Sequence, residues 1–510
     1  MRLLVIAFLC ASTLSCLRAD TQDAYDFSYH ASTADLLSRG GQALAVCNGL
    51  FISDRSLDQI YGGELRASGG TPVPAGELDI DRIQRTVAVP GRGGAPVMRA
   101  AWREGLGCVV MTPEQTFADV DALPVLRLPS PQGDPGTMPW PDGDLLEEGP
   151  LPDHVDGGAL DAAGEWAFNR LAHGGFENQV TLSLLVVHRG DIVYERYAPG
   201  VTRETRTRTW STAKSIAATL VGIAVGDGLL DLDAPLPVEW VPDELNEMNA
   251  RMRARMPLIS LDAWPPPDYE KAPDPRRAIT LRHVLNMSSG LYPVDNEYGA
   301  SVGSPLAYSV GWSSARQALD RGMVREPGTV WDYENYDTLL GVLALREVLG
   351  RDAYLGFPRR ALLDRIGMRG TLPGVDRFGD YVLSSQVYTN ARDLARLGLL
   401  YLNRGEWNGE RIFPAWWADF VRTPAPATRA FGGFYGAGFW IVPDARTDIP
   451  QDAYTTAGAR GQYAVIVPSY DLVIVRRGLD GAGPGFPTWD LVAEVLRAFP
   501  EWRGGTKAGS

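Results

Sequence analysis

Histidine is scarce in this sequence, and its distribution limits the catalytic chemistry. The chain of 510 residues contains five histidines: His30, His154, His173, His188 and His283. No two of them have the H-E-x-x-H spacing of a zinc site, so we expect neither a metal ion nor another cofactor. A hydrolase would have to work without any histidine after residue 283, which favours lysine or tyrosine as the base.

Runs of like charge are also lacking. The formal net charge of −14 is spread along the chain, and no run of Lys and Arg of the kind that tracks phosphates occurs. We therefore expect no nucleic-acid partner. With 45% hydrophobic and 22% charged residues, the composition is that of a globular protein with a sizeable core, and the length leaves room for two or three domains.

Long apolar runs are absent except at the N-terminus. Arg2 is followed by an apolar stretch from Leu3 to about Leu17, which is too short for a confident membrane span. We interpret residues 1–19 as an export signal, so the mature chain is expected to be periplasmic or secreted and to have no integral membrane span. A lipid-modified Cys16 is the weaker alternative, because Thr13 occupies a position where an aliphatic residue is usually found.

Cysteine is rare as well, with four in the whole chain. Cys10 and Cys16 lie in the predicted signal, which leaves Cys47 and Cys108 for the mature protein in an oxidising compartment. We predict that these two form a disulfide. In the chain-entropy model, closing a loop of this size contributes roughly 4 kcal/mol to stability. The alternative is a pair of buried free thiols.

The chain divides near residue 150. Residues 20–125 carry mixed helix and strand signals without a catalytic pattern, and residues 127–157 are so rich in Pro, Gly and Asp that they predict a linker or a long strap. We therefore expect an N-terminal extension of unknown role over 20–150 and a catalytic domain over 151–503. In that domain, TLSLLVVHRGDIVYERY and QYAVIVPSYDLVIVRRG predict two hairpins that are brought together in one sheet.

The sequence WSTAKS contains Ser211 and Lys214 at the start of an apolar stretch that predicts a buried helix up to about Val225. Residues three apart share one face of a helix, so the lysine amine can reach the serine hydroxyl and act as its base. The first helical turn also offers backbone N–H groups to a developing oxyanion. The alternative is an N-cap serine followed by a solvent-facing lysine.

A second serine motif competes with this pair. Gly299-Ala300-Ser301-Val302-Gly303 matches the G-x-S-x-G nucleophile elbow, which should follow a strand and precede an acid and a histidine. The preceding SSGLYPVDNEY is not strand-like, and no histidine follows Ser301. We therefore do not assign Ser301 as the nucleophile.

Two later segments offer partners to Ser211. Tyr333 and Asn335 precede a periodic apolar helix, where Asn335 or Asp337 as an N-cap is the simpler alternative. In the functional interpretation, Tyr333 transfers a proton and Asn335 orders the lysine or the substrate. In TTAGARGQYAVIV, Gly458 permits close backbone approach at a strand entrance, for which an edge bulge is the alternative.

These three motifs, in this order, resemble those of the class C β-lactamase-related serine hydrolases, a group that includes penicillin-binding proteins and carboxylesterases. The branch of 6-aminohexanoate-dimer hydrolase is the most similar, on account of its G-x-x-G-Q strand entry. The resemblance implies an α/β fold, with an antiparallel sheet flanked by helices and an all-helical lobe. It also implies the following roles: Ser211 as nucleophile, Lys214 and Tyr333 as base and acid, Asn335, Gly458 and Gln462 as supporting residues, and the backbone of Ala459 in the oxyanion hole.

The third motif departs from the family pattern, because Thr456-Ala457-Gly458 stands where many members have Lys-Thr-Gly. That lysine helps to bind the β-lactam carboxylate, so its absence counts against β-lactamase or DD-peptidase activity, and whether Arg460 replaces it is left open. We expect an exported serine hydrolase that cleaves a small-molecule ester or amide, or a peptide-like substrate, through an acyl-enzyme. A non-catalytic binding or sensor domain is the alternative.

Overall fold

The computed structural model describes residues 30–66, 71–128, 133–147, 149–240, 274–291, 304–319 and 321–500. The predicted export signal, Cys16 and Ser301 lie outside these ranges. The helices are α1 His30–Phe51, α2 Leu57–Gly62, α3 Gly157–Phe168, α4 Thr212–Gly226, α5 Leu281–Leu285, α6 Ser304–Val310, α7 Ser314–Leu319, α8 Asn335–Leu349, α9 Arg351–Phe357, α10 Ala391–Leu402, α11 Ala415–Val421 and α12 Thr488–Leu496.

The strands are mostly short, with lengths of two to eight residues. They are β1 Asp79–Asp81, β2 Thr86–Val89, β3 Met98–Arg103, β4 Gly107–Val110, β5 Thr181–His188, β6 Asp191–Tyr197, β7 Thr207–Arg208, β8 Leu372–Pro373, β9 Val387–Thr389, β10 Glu406–Trp407, β11 Glu410–Arg411, β12 Trp440–Ile441, β13 Tyr454–Gly458, β14 Gln462–Val467 and β15 Leu472–Gly478. Short 3-10 turns and one π-helical turn (Pro358–Leu363) connect some of these elements.

The central sheet is antiparallel and has the strand order β12-β13-β14-β15-β5-β6. Both predicted hairpins are confirmed, and β15 pairs with β5, with Val475 opposite Leu185. Side chains alternate between two cores, as the period of a strand requires. Ile474 packs with α3 and α12 on one face, whereas Val473 and Val475 pack with α4, α8 and α10 on the other.

The N-terminal part of the chain forms a module of its own secondary structure, which we call the N-terminal module and define as the described residues of 30–128. Its four strands form an antiparallel sheet in the order β1-β2-β3-β4, against which α1 packs. The predicted disulfide between Cys47 and Cys108 is present and joins α1 to β4, with Cα atoms 6.1 Å apart. Val109 and Met111 also belong to the large core that contains α4 and α8, so the module shares apolar packing with the remainder of the chain.

The Pro- and Gly-rich segment after the module runs as a strap along the surface of the part of the chain that contains α10. Arg396 of α10 donates to the carbonyl oxygens of Pro141 (2.7 Å) and Gly143 (2.6 Å), and Arg392 donates to that of Asp144 (2.7 Å). These hydrogen bonds satisfy backbone groups in a segment that has no regular secondary structure of its own. Within the described ranges, no helix has the length and apolarity that a membrane crossing requires.

Candidate active site

Ser211 stands at a sharp turn between β7 and the buried helix α4. Trp210 adopts a left-handed φ of 50°, which is uncommon outside glycine, and the Arg208 guanidinium lies 3.8 Å from the centre of its ring. The predicted buried helix is confirmed, since every residue from Thr212 to Ala224 is buried. Ser211 occupies the N-cap position, but its side chain makes no capping hydrogen bond.

The Lys214 side chain points inward from the first turn of α4 and is 2% exposed. Its Nζ lies 3.3 Å from Ser211 Oγ, 2.6 Å from Asn335 Oδ1 and 2.9 Å from the carbonyl oxygen of Ser384. These three neutral oxygens hold the amine beside the serine hydroxyl. The alternative of a capping serine with a solvent-facing lysine is therefore excluded.

Tyr333 comes to the same serine from the segment that precedes α8. Its phenol is hydrogen bonded to the Ser211 side chain, and its ring centre lies 5.0 Å from Lys214 Nζ. Burial raises the pKa of Tyr333 to about 12, although the hydrogen bond to Ser211 acts in the opposite direction. The N-cap of α8 is Glu334 rather than Asn335 or Asp337, so Asn335 is available to contact the lysine.

The end of β13 packs directly against the start of α4. A Cβ atom on Gly458 would overlap the carbonyl oxygen of Thr209 and would lie 3.0 Å from the backbone nitrogen of Thr212. Only glycine permits this approach. The contact brings Ala459, the residue after Gly458, close to the first turn of α4, where Ser211 lies. The pairing of β13 with β14 is regular up to Gly458 opposite Gln462, so no bulge is present.

The Gln462 side chain is buried at the start of β14. Its amide nitrogen donates to the carbonyl oxygens of Arg460 (3.0 Å) and Gly478 (2.5 Å), and its amide oxygen accepts from Arg477 Nε (2.7 Å). Its backbone carbonyl accepts from the Thr212 hydroxyl at 2.9 Å. The Gln462 side chain thus joins β14, β15 and the turn after β13, and the structure does not direct it towards Ser211.

The structure also defines the direction of Arg460, which the sequence leaves open. The Arg460 guanidinium donates to four backbone carbonyls, those of Gly63, Glu64, Leu479 and Asp480. The first two belong to the N-terminal module. At the position of the missing lysine, the Thr456 hydroxyl is buried and is bonded to Thr212 and to the backbone N–H of Ala464. Neither side chain presents a cation to the Ser211 hydroxyl.

An aromatic wall lies beside the catalytic candidates. The Trp331 and Trp440 rings are half-buried and lie 6.1 and 5.6 Å from the Tyr333 ring. The Phe434 ring stacks against the Trp440 ring, with ring centres 6.1 Å apart. The buried Tyr435 ring packs edge-on against both tryptophan rings. Half-exposed aromatic rings next to a candidate nucleophile form a surface suited to the apolar part of a substrate.

Sequence reasoning missed several residues of this site. The Ser384 contact is made by a backbone carbonyl, which has no side-chain signature, and Tyr308 was not singled out although its phenol is hydrogen bonded to Ser384 Oγ. Trp331 could have been found, because it precedes Tyr333 by two residues in an extended segment and so shares its side. Among the described residues, no group of three His, Cys, Asp or Glu side chains could hold a metal ion.

The antiparallel sheet between helices and the Ser-Lys-Tyr cluster define a serine hydrolase of the β-lactamase/transpeptidase-like fold. The β-lactamase family model matches residues 169–478, which is more than half of the chain. This protein therefore belongs to the β-lactamase family. The predicted fold class is confirmed.

Individual relatives are distant. The 6-aminohexanoate-dimer hydrolase of Paenarthrobacter ureafaciens is 24% identical over 324 residues, which cover 59% of this chain and 73% of the relative. The crystal structure of a family VIII carboxylesterase is 17% identical, covers 69% of this chain and 100% of that chain, and has a TM-score of 0.49. That of a D-stereospecific amidohydrolase from Streptomyces sp. is 17% identical with a TM-score of 0.47, covering 68% and 99%. These similarities do not assign a substrate.

Proposed function

We propose that this protein hydrolyses ester or amide bonds through an acyl-enzyme on Ser211. The observation that carries the proposal is the convergence of two side chains on one hydroxyl: Lys214 Nζ lies 3.3 Å from Ser211 Oγ, and the Tyr333 phenol is hydrogen bonded to the same serine. Serine needs a neighbouring base to act as a nucleophile. Both groups are held by protein contacts rather than by solvent, as a preorganised site requires.

In the proposed acylation, the neutral amine of Lys214 takes the proton from Ser211 Oγ while this oxygen attacks the carbonyl carbon of the substrate. The backbone N–H groups of Ser211 and Ala459 stabilise the oxyanion. The close approach at Gly458 supports this pairing. When the tetrahedral intermediate collapses, the bond between the carbonyl carbon and the leaving group breaks. The leaving oxygen or nitrogen atom receives the phenol proton of Tyr333. The protonated amine of Lys214 then returns a proton to the Tyr333 phenolate.

In the proposed deacylation, a water molecule attacks the acyl-enzyme and gives up a proton to Lys214, directly or through Tyr333. Ser211 Oγ leaves with a proton, and the free carboxylic acid is released. A pKa of about 12 keeps Tyr333 protonated at neutral pH, so the phenol serves as a proton donor and the amine serves as the base. Asn335 holds that amine through its side-chain oxygen at 2.6 Å.

The proposed substrates are neutral esters or amides with an apolar group, rather than β-lactams. The aromatic wall of Trp331 and Trp440 supports the apolar preference. Thr456 and Arg460 make their hydrogen bonds within the protein, so neither replaces the lysine that binds a β-lactam carboxylate in relatives. We expect p-nitrophenyl esters to be hydrolysed much faster than a chromogenic cephalosporin.

Export is a further part of the proposal. The disulfide between Cys47 and Cys108 supports it, because disulfides persist in oxidising compartments. Expression of the full chain in a bacterium, followed by cell fractionation and intact-mass measurement, is the test. A periplasmic or secreted product that has lost about the first 19 residues is expected, whereas an uncleaved cytoplasmic product would contradict the prediction.

Labelling with a fluorophosphonate probe and turnover of p-nitrophenyl butyrate together test the activity. The wild type should be labelled and should release many equivalents of nitrophenol, and Ser211→Ala should do neither. A protein that is labelled at Ser211 but releases only one equivalent would instead be the non-catalytic binding or sensor domain. Hydrolysis by Ser211→Ala at the wild-type rate would refute both.

A further inference from the structure

The N-terminal module lies outside the part of the chain that matches the family model, which begins at residue 169. Two sets of contacts nevertheless connect this module to backbone groups of the proposed site. One leads from α1 to the carbonyl oxygen that accepts a hydrogen bond from Lys214. The other leads from the segment after α2 to the turn that contains Ala459.

The first set of contacts passes through α6. Gly40 of α1 packs so closely on α6 that a Cβ atom there would overlap the carbonyl oxygen of Ser309. Next to this contact, Leu37, Met98 and Val310 form a buried apolar cluster between the module and α6. Tyr308, the residue before Ser309, is hydrogen bonded through its phenol to Ser384 Oγ. The carbonyl oxygen of the same Ser384 lies 2.9 Å from Lys214 Nζ.

The second set of contacts passes through Arg460. This residue follows Ala459 in the turn between β13 and β14 and has a left-handed φ of 61°, so the turn conformation is not one that the chain adopts readily by itself. Its guanidinium donates to the carbonyl oxygens of Gly63 and Glu64, both at 2.8 Å. The two carbonyls of the module therefore fix the turn from outside the central sheet.

Within the module, a disulfide and a side-chain hydrogen bond join α1, from which the first set of contacts starts, to β4. The disulfide from Cys47 to Cys108 fixes α1 to β4, and the Asn48 side chain accepts a hydrogen bond from the backbone N–H of Cys108 at 3.2 Å. Asn48 is also hydrogen bonded to the phenol of Tyr388 in β9, a few residues after Ser384. α1 therefore contacts both the helix with Tyr308 and the strand that follows Ser384.

We propose that the N-terminal module, through the contacts described above, holds Tyr308 of α6 and Arg460 in place as positioning residues of the catalytic site. The proposal rests on the function proposed above. Tyr308 fixes Ser384 and thereby the direction of the Lys214 amine, and Arg460 fixes the turn that presents the N–H of Ala459 to the oxyanion. A displacement of about 1 Å in such groups can lower a rate by roughly a hundredfold.

Two single substitutions test the proposal, and each has a matched control substitution within the N-terminal module. Tyr308→Phe removes one oxygen atom, and its control is Tyr61→Phe, whose phenol donates to the carbonyl oxygen of Val73. Arg460→Met removes the guanidinium from the turn. Its control is Arg99→Met, because Arg99 donates to two carbonyls of the module and none of the site. Steady-state hydrolysis of p-nitrophenyl butyrate from pH 5 to 10 and the melting temperature are measured for all four variants.

In Tyr308→Phe and Arg460→Met, we expect kcat to fall by about tenfold or more while KM changes by less than about threefold. The pH midpoint of kcat/KM should also move in Tyr308→Phe, because the acceptor of Lys214 is displaced. The controls should keep the wild-type kcat and midpoint, even where their melting temperature falls. A purely structural role would change the melting temperature alone.

Values of kcat within twofold of the wild type in both test variants, or equal losses in the controls, would overturn the proposal. If Arg460→Met does not fold, Tyr308→Phe decides, since loss of one hydroxyl leaves the packing of α6 intact. Ser211→Ala is measured beside them. Full activity in that variant would refute the proposed function itself, whereas an inactive Ser211→Ala with unchanged Tyr308→Phe and Arg460→Met would refute only the role of the module.

Discussion

The contact between Asn335 and Lys214 allows the role of the lysine to be tested with a nearly isosteric change. In Asn335→Asp, a carboxylate replaces an amide oxygen that lies 2.6 Å from Lys214 Nζ. If the enzyme requires the neutral amine, this carboxylate stabilises the inactive ammonium form. The pH midpoint of kcat/KM should therefore rise, and activity at pH 7 should fall.

The size of this shift follows from Coulomb's law. At 2.6 Å, two unit charges attract by about 6 kcal/mol at an effective dielectric constant of 20 and by about 1.6 kcal/mol in bulk water. At ~1.4 kcal/mol per pH unit, these energies correspond to a rise of the pH midpoint by about 4 units and by about 1 unit, respectively. Asn335 is half-buried, so we expect a rise of at least about one unit and a loss of at least about tenfold in kcat/KM at pH 7.

The assay is the pH profile of kcat/KM for p-nitrophenyl butyrate at constant ionic strength. Asn335→Ala removes the contact without adding a charge, so it should lower kcat without raising the midpoint. Asn403→Asp adds a negative charge at an exposed position that follows α10 and should change neither quantity. An unchanged midpoint in Asn335→Asp would refute the requirement for a neutral Lys214.

Three further predictions concern the phenol, the aromatic wall and a buried carboxyl group. Tyr333→Phe should lower kcat by roughly 10²–10⁴, and the wild-type profile should show no fall between pH 8 and 10, because the pKa of Tyr333 is about 12. Trp440→Ala should raise KM for p-nitrophenyl hexanoate by about tenfold more than for the acetate, because apolar contact area is lost. Burial raises the pKa of Asp337 to about 8. The native protein therefore keeps a proton on Asp337 that the unfolded chain loses above about pH 4. Between pH 5 and 7, this proton should lower the free energy of unfolding of the wild type by about 1.4 kcal/mol per pH unit. Asp337→Asn lacks this contribution, so its free energy of unfolding should fall less steeply with pH by that amount.

Each of these predictions has a result that contradicts it. Kinetics of Tyr333→Phe within threefold of the wild type would exclude proton transfer by the phenol. Trp416 is exposed and has no ring contact with the aromatic wall in the described structure, so an equal change in Trp416→Ala would remove the argument for Trp440. Urea titrations that give the same pH dependence for wild type and Asp337→Asn would show that Asp337 does not titrate between native and unfolded states.

The sequence predicted the parts of the fold that depend on local patterns. The two hairpins and the buried helix after Ser211 could be predicted because they depend on local patterns, namely apolar strand runs joined by turn residues and an apolar stretch that ends at glycine. The cysteine pair could be predicted by elimination, since two of the four cysteines lie in the export signal predicted at the N-terminus. The packing of the N-terminal module against the rest could not, because it depends on contacts such as Gly40 with Ser309 that have no local pattern.

In the candidate site, too, some residues could be predicted from local patterns and motif order, whereas others depend on contacts between distant parts of the chain. Ser211 and Lys214 follow from helical spacing together with the apolar character of the helix, and Tyr333 follows from motif order. The carbonyl oxygen of Ser384 has no signature in the sequence, because every residue has a backbone carbonyl. The direction of Arg460 could not be predicted either, since it depends on the carbonyls of Gly63 and Glu64, almost 400 residues away in the chain.

The proposed acylation of Ser211 during turnover can be observed by mass spectrometry of the peptides of the quenched enzyme. Wild-type protein is quenched in acid during hydrolysis of p-nitrophenyl butyrate and is then digested and mapped. The account predicts a butyryl group on the peptide that contains Ser211, with neither the adduct nor turnover in Ser211→Ala. A butyryl group on another residue that persists in Ser211→Ala together with turnover would contradict it.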